Sequence, residues 1–145
     1  MCMQEQKHIE ALKEVMETID FSIKDNRGLI VYQRRLTAML SLGSQHILEL
    51  YLHKINAIKP GTQLKHEWLK MEEKNLEMQL AGILTKSLSS IPDSSYIFAL
   101  AKKIETDRND LVYGSNLKND NILREKISIF LDLKKFIEQK IGDII

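Results

Sequence analysis

Only two prolines, Pro60 and Pro92, punctuate the 145 residues, and the six glycines all stand apart from one another. A chain so short of breakers lacks the many tight turns that a sandwich or barrel requires, so long helices are the expected element. The apolar spacing agrees. Ile9, Leu12, Val15, Met16, Ile19 and Ile23 recur at steps of three and four, which places them on one face of a helix over about 4–24. The stretch from Lys24 to Gly28 is the first break. A second helix is predicted over about 29–58, with Ile30, Leu36, Met39, Leu40, Ile47, Leu50, Tyr51 and Ile55 apolar. Gly43 inside it costs about 1 kcal/mol against alanine and marks close packing or a slight kink. Lys59-Pro60-Gly61 ends it, because proline cannot continue a helix and glycine accepts positive φ.

Thr62 is a candidate N-cap for a third helix over about 63–89, whose face would carry Trp68, Leu69, Leu76, Leu80, Ile83, Leu84 and Leu88. Asp93 or Ser94 would cap a fourth over about 95–112, with Ile97, Leu100, Ala101, Ile104 and Leu111 together. A polar connection from Gly114 to Asp120 precedes a last helix over about 121–141. Its stripe of Leu123, Ile127, Phe130, Leu131, Leu133, Phe136, Ile137 and Ile141 is broad enough for a central helix, or for one that also meets another subunit. Neighbouring helices joined by short turns pack antiparallel. The expected fold is all-α, an up-and-down bundle of four to five helices in a single domain over 1–145.

A chain of this length buries roughly 68–70% of its unfolded surface and needs no metal or disulfide staple. The lone cysteine, Cys2, cannot form an internal disulfide, which fits a reducing cytoplasm, and at the terminus it is a poor candidate for an activated nucleophile. Lys and Arg total 21 against 20 Asp and Glu, so bulk charge provides no strong non-specific attraction to nucleic acid or anionic lipid. No apolar run approaches a membrane span, and the first residues carry no apolar signal-peptide core, so a cytoplasmic protein with no membrane partner is expected.

The densest polar cluster is Glu105-Thr106-Asp107-Arg108-Asn109-Asp110, followed by Leu111-Val112-Tyr113-Gly114. Arg108 offers a permanent cation with a fork of donors suited to phosphate or carboxylate. Glu105 precedes it by one helical step and is a candidate ion-pair partner. On its own, the cluster also reads as a helix end with a favourable cation and a glycine stop. The order Arg-Asn-x-x-Val-Tyr-Gly, Arg108 to Gly114, resembles the signature of HEPN (higher eukaryotes and prokaryotes nucleotide-binding) domains, an arginine, often asparagine next, and a histidine a few residues on. The run Ser44 to Lys54, containing Glu49-Leu50-Tyr51-Leu52, is similar to the second-helix segment of that family.

The resemblance implies a helical homodimer whose signature residues meet across the interface. It also implies binding of RNA or a nucleotide phosphate in that cleft by Arg108 and Asn109. Many such proteins are metal-independent RNases, some of them toxins with a nucleotidyltransferase-type antitoxin as partner. Carried over, the catalytic positions are Arg108, Asn109 and Tyr113. Tyr113 stands where the family has histidine, and a phenol titrating near pH 10 is a poor general base at neutral pH. Binding without cleavage is therefore the first expectation. The alternatives are an active metal-independent RNase, with Tyr113 or a histidine such as His46 or His53 moving the proton, and a non-catalytic interaction module with Arg108 buried against a carboxylate.

His46, Glu49 and His53 share one face of the second helix, and imidazole with carboxylate suits zinc or iron. His46 and His53 lie two turns apart, about 10 Å along the axis, so one ion cannot easily take both. His66 would be the nearest further ligand. With no His-Glu-x-x-His pattern, no metal and no cofactor is expected, and these side chains are assigned to the edge of the apolar face. His8 falls near a helix start where fraying is expected. Trp68 is expected to anchor a core or an interface.

Overall fold

The computed structural model describes residues 3–145, with side chains from Glu5 onward, and Cys2 lies outside the described residues. The fold is an all-α bundle. Six α-helices occur among the described residues: α1 (Met3–Lys24), α2 (Gln33–Lys54), α3 (Glu73–Leu80), α4 (Ser94–Glu105), α5 (Arg108–Tyr113) and α6 (Asn121–Ile141). Short 3-10 turns at Leu29–Tyr32, His66–Lys70 and Leu88–Ser90 connect them. No helix among them is long and apolar enough to cross a membrane.

The central place belongs to α2. Ile47, Leu48, Glu49, Leu50, Tyr51 and Leu52 are all buried in succession, because α1, α4, α5 and α6 each pack against this helix. Packed by four helices, α2 keeps only Arg34, Arg35 and Lys54 exposed, and its polar Gln33, Thr37, Ser41, Ser44 and Glu49 are buried. Gly43 is required by this packing. A Cβ there would lie 2.7 Å from the Phe130 ring of α6 and 3.0 Å from Val15 of α1. The last helix is peripheral by comparison. It buries Leu123, Ile127, Phe130, Leu133 and Ile137 and leaves Ile122 and Leu131 exposed.

The third and fourth predicted helices each break. Residues 63–89 form a 3-10 turn, α3 and a second 3-10 turn instead of one helix. Met71 and Glu72 adopt extended backbone, and residues 57–59 pair with 83–85 through Lys59 N–H to Ile83 O and Thr85 N–H to Ala57 O, both 2.9 Å. Leu69, Leu76, Leu80, Leu84 and Leu88 still reach the core, but from separate segments. Thr62 does not cap a helix; its hydroxyl donates to Lys59 O. Asp93 occupies the N-cap position of α4 in the left-handed region (φ 58°) without a side-chain cap bond, its carboxylate pairing with Lys140 at 2.7 Å. Trp68 packs against the core while remaining half-buried.

The break inside the predicted fourth helix decides where the polar cluster lands. Asp107 takes φ 61°, a left-handed conformation that aspartate tolerates better than most residues. The carbonyls of Lys103, Ile104 and Thr106, left over at the end of α4, all accept from the Lys126 ammonium of α6 at 2.7–3.0 Å. A buried cation thus caps a helix C-terminus, where the backbone dipole favours positive charge. Chain direction changes there, and α5 begins at Arg108.

Candidate functional site

Four elements meet around Arg108. Its Nε donates to the Ser41 hydroxyl of α2 at 3.1 Å, and its Nη1 donates to Asn109 Oδ1 at 3.2 Å. Ser41 in turn donates to Glu105 Oε2 at 2.6 Å, and the other carboxylate oxygen, Oε1, lies 2.6 Å from Nδ1 of His66 in the first 3-10 turn after α2. A hydroxyl has one proton to give and can accept another, so the relay from Arg108 through Ser41 to Glu105 satisfies every partner. Glu105 is almost fully buried, while the Arg108 and His66 side chains keep 18% and 32% of their surface exposed. Two of the five guanidinium N–H groups are engaged, which leaves Arg108 further donors at the surface.

The expected Glu105–Arg108 pair is looser than the one-turn spacing suggested. Nε and Oε1 are 3.9 Å apart, because both carboxylate oxygens are taken by His66 and Ser41. A carboxylate can only accept, so Nδ1 is the nitrogen that donates to Glu105, while Nε2 lies 3.7 Å from the exposed Glu67 carboxylate. Beside it, Lys70, Glu105, Asp107, Arg108, Asn109 and Asp110 line a cavity of about 220 Å³. Two cations face three carboxylates there, so the net field opposes an anion and any selection of one would rest on the fork geometry of Arg108.

Of the sequence-predicted residues, Arg108 and Asn109 sit together on this cavity. Tyr113 ends α5, is 80% exposed and does not line the cavity. Gly114 leaves α5 in extended backbone with its N–H on the Asp110 carbonyl, a close approach in which a Cβ would strike that carbonyl. The loop after it is held by α2: Gln33 donates to Leu111 O and Ser115 O, and Arg34 donates to Gly114 O and Asn116 Oδ1. His66 goes to Glu105, not to the histidines of α2, and neither His46 nor His53 lines the Arg108 cavity. Ser41, His66 and Lys70 were not foreseen as companions of Arg108, since only the fold brings them there.

A second polar cluster joins α1 to α2. His8 is 3% exposed, so the terminal fraying expected of it is not found. Its Nδ1 lies 2.9 Å from His46 Nδ1 and 3.6 Å from Glu49 Oε2, and its ring stacks on His53 with centroids 5.9 Å apart. Glu49 Oε1 accepts from the Leu64 N–H, and Gln45 donates to the Leu64 carbonyl. Burial, reinforced by His46, His53 and Lys7, pulls the His8 pKa down to about 4, and burial lowers those of His46 and His53 as well. Burial also pushes Glu49 up to about 7. His8 Nε2 is buried without a hydrogen-bond partner among the described residues, at a cost of about 1–3 kcal/mol. Metal-ligating groups from three residues converge here, His8, His46 and Glu49.

No protein-family model, curated protein or solved structure matches the chain.

Proposed function

We propose that the chain is a HEPN-like protein that binds a phosphate of RNA or of a nucleotide at Arg108, with Asn109 and Lys70 as further donors. One observation carries this reading: the Arg108 guanidinium is fixed at a cavity edge by Ser41 and Asn109, with donors to spare. A planar fork held in one orientation loses little freedom when it grips a phosphate, which favours binding.

Metal-independent RNA cleavage is a second reading, favoured by His66. The imidazole shares the Glu105 carboxylate with the Arg108 cluster, as Tyr113 does not, although it stands outside the Arg108 cavity and its Nε2 lies 3.7 Å from Glu67. Its Nε2 would take the 2′-hydroxyl proton as that oxygen attacks phosphorus. The bond to the 5′-oxygen would break, and the leaving oxygen would take a proton from solvent. Arg108 would bear the charge gathering on the phosphoryl oxygens. A homodimer belongs to the same proposal. A groove of about 290 Å³ between the end of α1, the following 3-10 turn and α6, lined by Ile23, Leu29, Ile127 and Leu131 with Arg124, Ser128 and Asp132, is the face a second copy would cover. The nucleotidyltransferase-type antitoxin implied by the resemblance would be a further partner, and a cytoplasmic setting fits both.

The test is binding and cleavage of single-stranded RNA in EDTA by wild type, Arg108→Ala and His66→Ala, each checked for its melting temperature. We expect Arg108→Ala to weaken RNA binding by more than about tenfold, the value of one charged contact. Any cleavage should vanish in His66→Ala while binding persists. RNA and nucleotide affinity unchanged in a folded Arg108→Ala protein would overturn the reading and leave the interaction module.

A further inference from the structure

The cluster between α1 and α2 is built from groups that metal ions take and that the fold itself leaves unfinished. His46 and Glu49 are three residues apart and project from one face of α2, and His8 reaches them from α1. We propose that His8, His46 and Glu49 bind one divalent transition-metal ion of the zinc class, with a fourth position left to solvent in the adjoining cavity.

Four-coordinate zinc holds nitrogen and oxygen ligands at about 2.0–2.1 Å, which sets tetrahedral ligand-to-ligand edges of about 3.3–3.4 Å. The separations from His8 Nδ1, 2.9 Å to His46 Nδ1 and 3.6 Å to Glu49 Oε2, bracket that edge. All three ligand atoms lie within 4.8 Å of one another, so the side chains would draw together around the ion to complete the geometry. Two imidazoles and one carboxylate favour a borderline ion over magnesium or calcium, which prefer all-oxygen shells.

Two features argue against a cluster that exists only for packing. The His8 imidazole is buried with Nδ1 turned to His46 and Glu49 and with Nε2 unpartnered among the described residues, so its own hydrogen bonding is only half satisfied. Glu49 is a buried carboxylate whose nearest ionisable neighbour is an imidazole rather than a Lys or Arg, and a bound cation would supply its counter-charge. The cavity that would admit the ion, about 220 Å³, is walled by these three ligands with Gln45, Gln63 and Lys7. Lys7 opposes a cation: it is solvent-exposed, yet its charge acts on His8, His46 and Glu49 alike. Because Glu49 also holds the Leu64 N–H, the ion would fasten α1, α2 and the segment before His66 to one point.

The site is independent of the Arg108 reading. Its test is titration of the EDTA-treated, dialysed full-length protein with Co2+, followed by visible d–d absorption, and with Zn2+ by calorimetry. We expect one ion per chain with micromolar or tighter affinity, the intense absorption of four-coordinate cobalt, and a higher melting temperature with Zn2+. His46→Ala and Glu49→Gln should each weaken binding by more than about tenfold. Glu49→Gln retains an acceptor for Leu64 and guards against mere unfolding of the alanine variant. Arg108→Ala and Cys2→Ser should bind as wild type does. No stoichiometric binding by the wild type would overturn the proposal whatever the variants do. So would binding that survives both ligand substitutions, or that disappears in Cys2→Ser.

Discussion

The two polar clusters share α2 and the segment between Pro60 and Lys70, yet they settle their buried groups in opposite ways. Around Arg108, each oxygen of Glu105 has a partner, the hydroxyl of Ser41 both gives and accepts, and the cations keep part of their surface in water. Around His8, a ring nitrogen stays unpaired among the described residues and burial pushes a carboxylate to about 7. The first cluster is closed by the chain itself and can therefore present Arg108 outward without collapse. The second is closed only in part, and the proposed ion would bind on its Nδ1 and carboxylate side. Completeness of internal partners thus separates a structural base for a surface site from a site that waits for its ligand.

Glu105→Ala is the sharpest way to break this contrast. The change leaves His66 and Ser41 without their acceptor and Arg108 without its nearby carboxylate. Urea denaturation should show a loss of about 3 kcal/mol, at the lower end for a broken buried pair because His66 and Arg108 are partly exposed. Glu105→Gln should lose less, since the amide oxygen still accepts one bond. A loss under about 1 kcal/mol for the alanine variant would mean that the Arg108 cluster is not held together by its carboxylate.

Lys126→Met comes next, at about 2 kcal/mol at pH 7, because three α4 carbonyls lose a charged donor while the alkyl packing survives. Burial lowers the Lys126 pKa from its usual 10.5. The unfolded chain therefore holds that proton more tightly, and stability gains with rising pH between the lowered value and 10.5. The methionine variant should lack this alkaline gain when the two proteins are compared by urea denaturation across that range. RNA affinity should fall with it, since this cap sets the turn into α5, whereas metal affinity at His8 should not move. Equal effects on both clusters would show that they are not separately supported.

The elements that were legible in the sequence are those whose apolar period runs unbroken, α1, α2 and α6. Gly43 was legible too, as a point of close packing. The breaks within 63–89 and at Asp107 were not, because leucines spaced at three and four satisfy a core from one helix or from several short segments. What decides between them is tertiary: the pairing of 57–59 with 83–85, and a lysine 20 residues beyond Thr106 that caps its carbonyl. The same division holds at the site. Arg108 and Asn109 are neighbours in the chain and were found as such. Ser41 and His66 lie 67 and 42 residues from Arg108 in the sequence, and no local pattern couples them. His8 was misjudged because nearness to the terminus was weighed above its place on the face of α1 that turns toward α2.

The smallest expected effect belongs to Tyr113→Phe, and it separates a site defined by residue order from one defined by geometry. Counting along the chain, Tyr113 takes the place of a proton-moving histidine; in space it ends α5, 80% exposed. Losing a hydroxyl at such a position should change stability by less than about 0.5 kcal/mol, as surface substitutions usually do. With His66 as the base, RNA cleavage and its pH profile should also be unchanged in Tyr113→Phe and abolished in His66→Ala. If cleavage instead falls in the phenylalanine variant and persists without His66, the phenol is the proton-moving group. In that case residue order, carried by α5 into a second copy's cleft, outranks the contacts made within one chain.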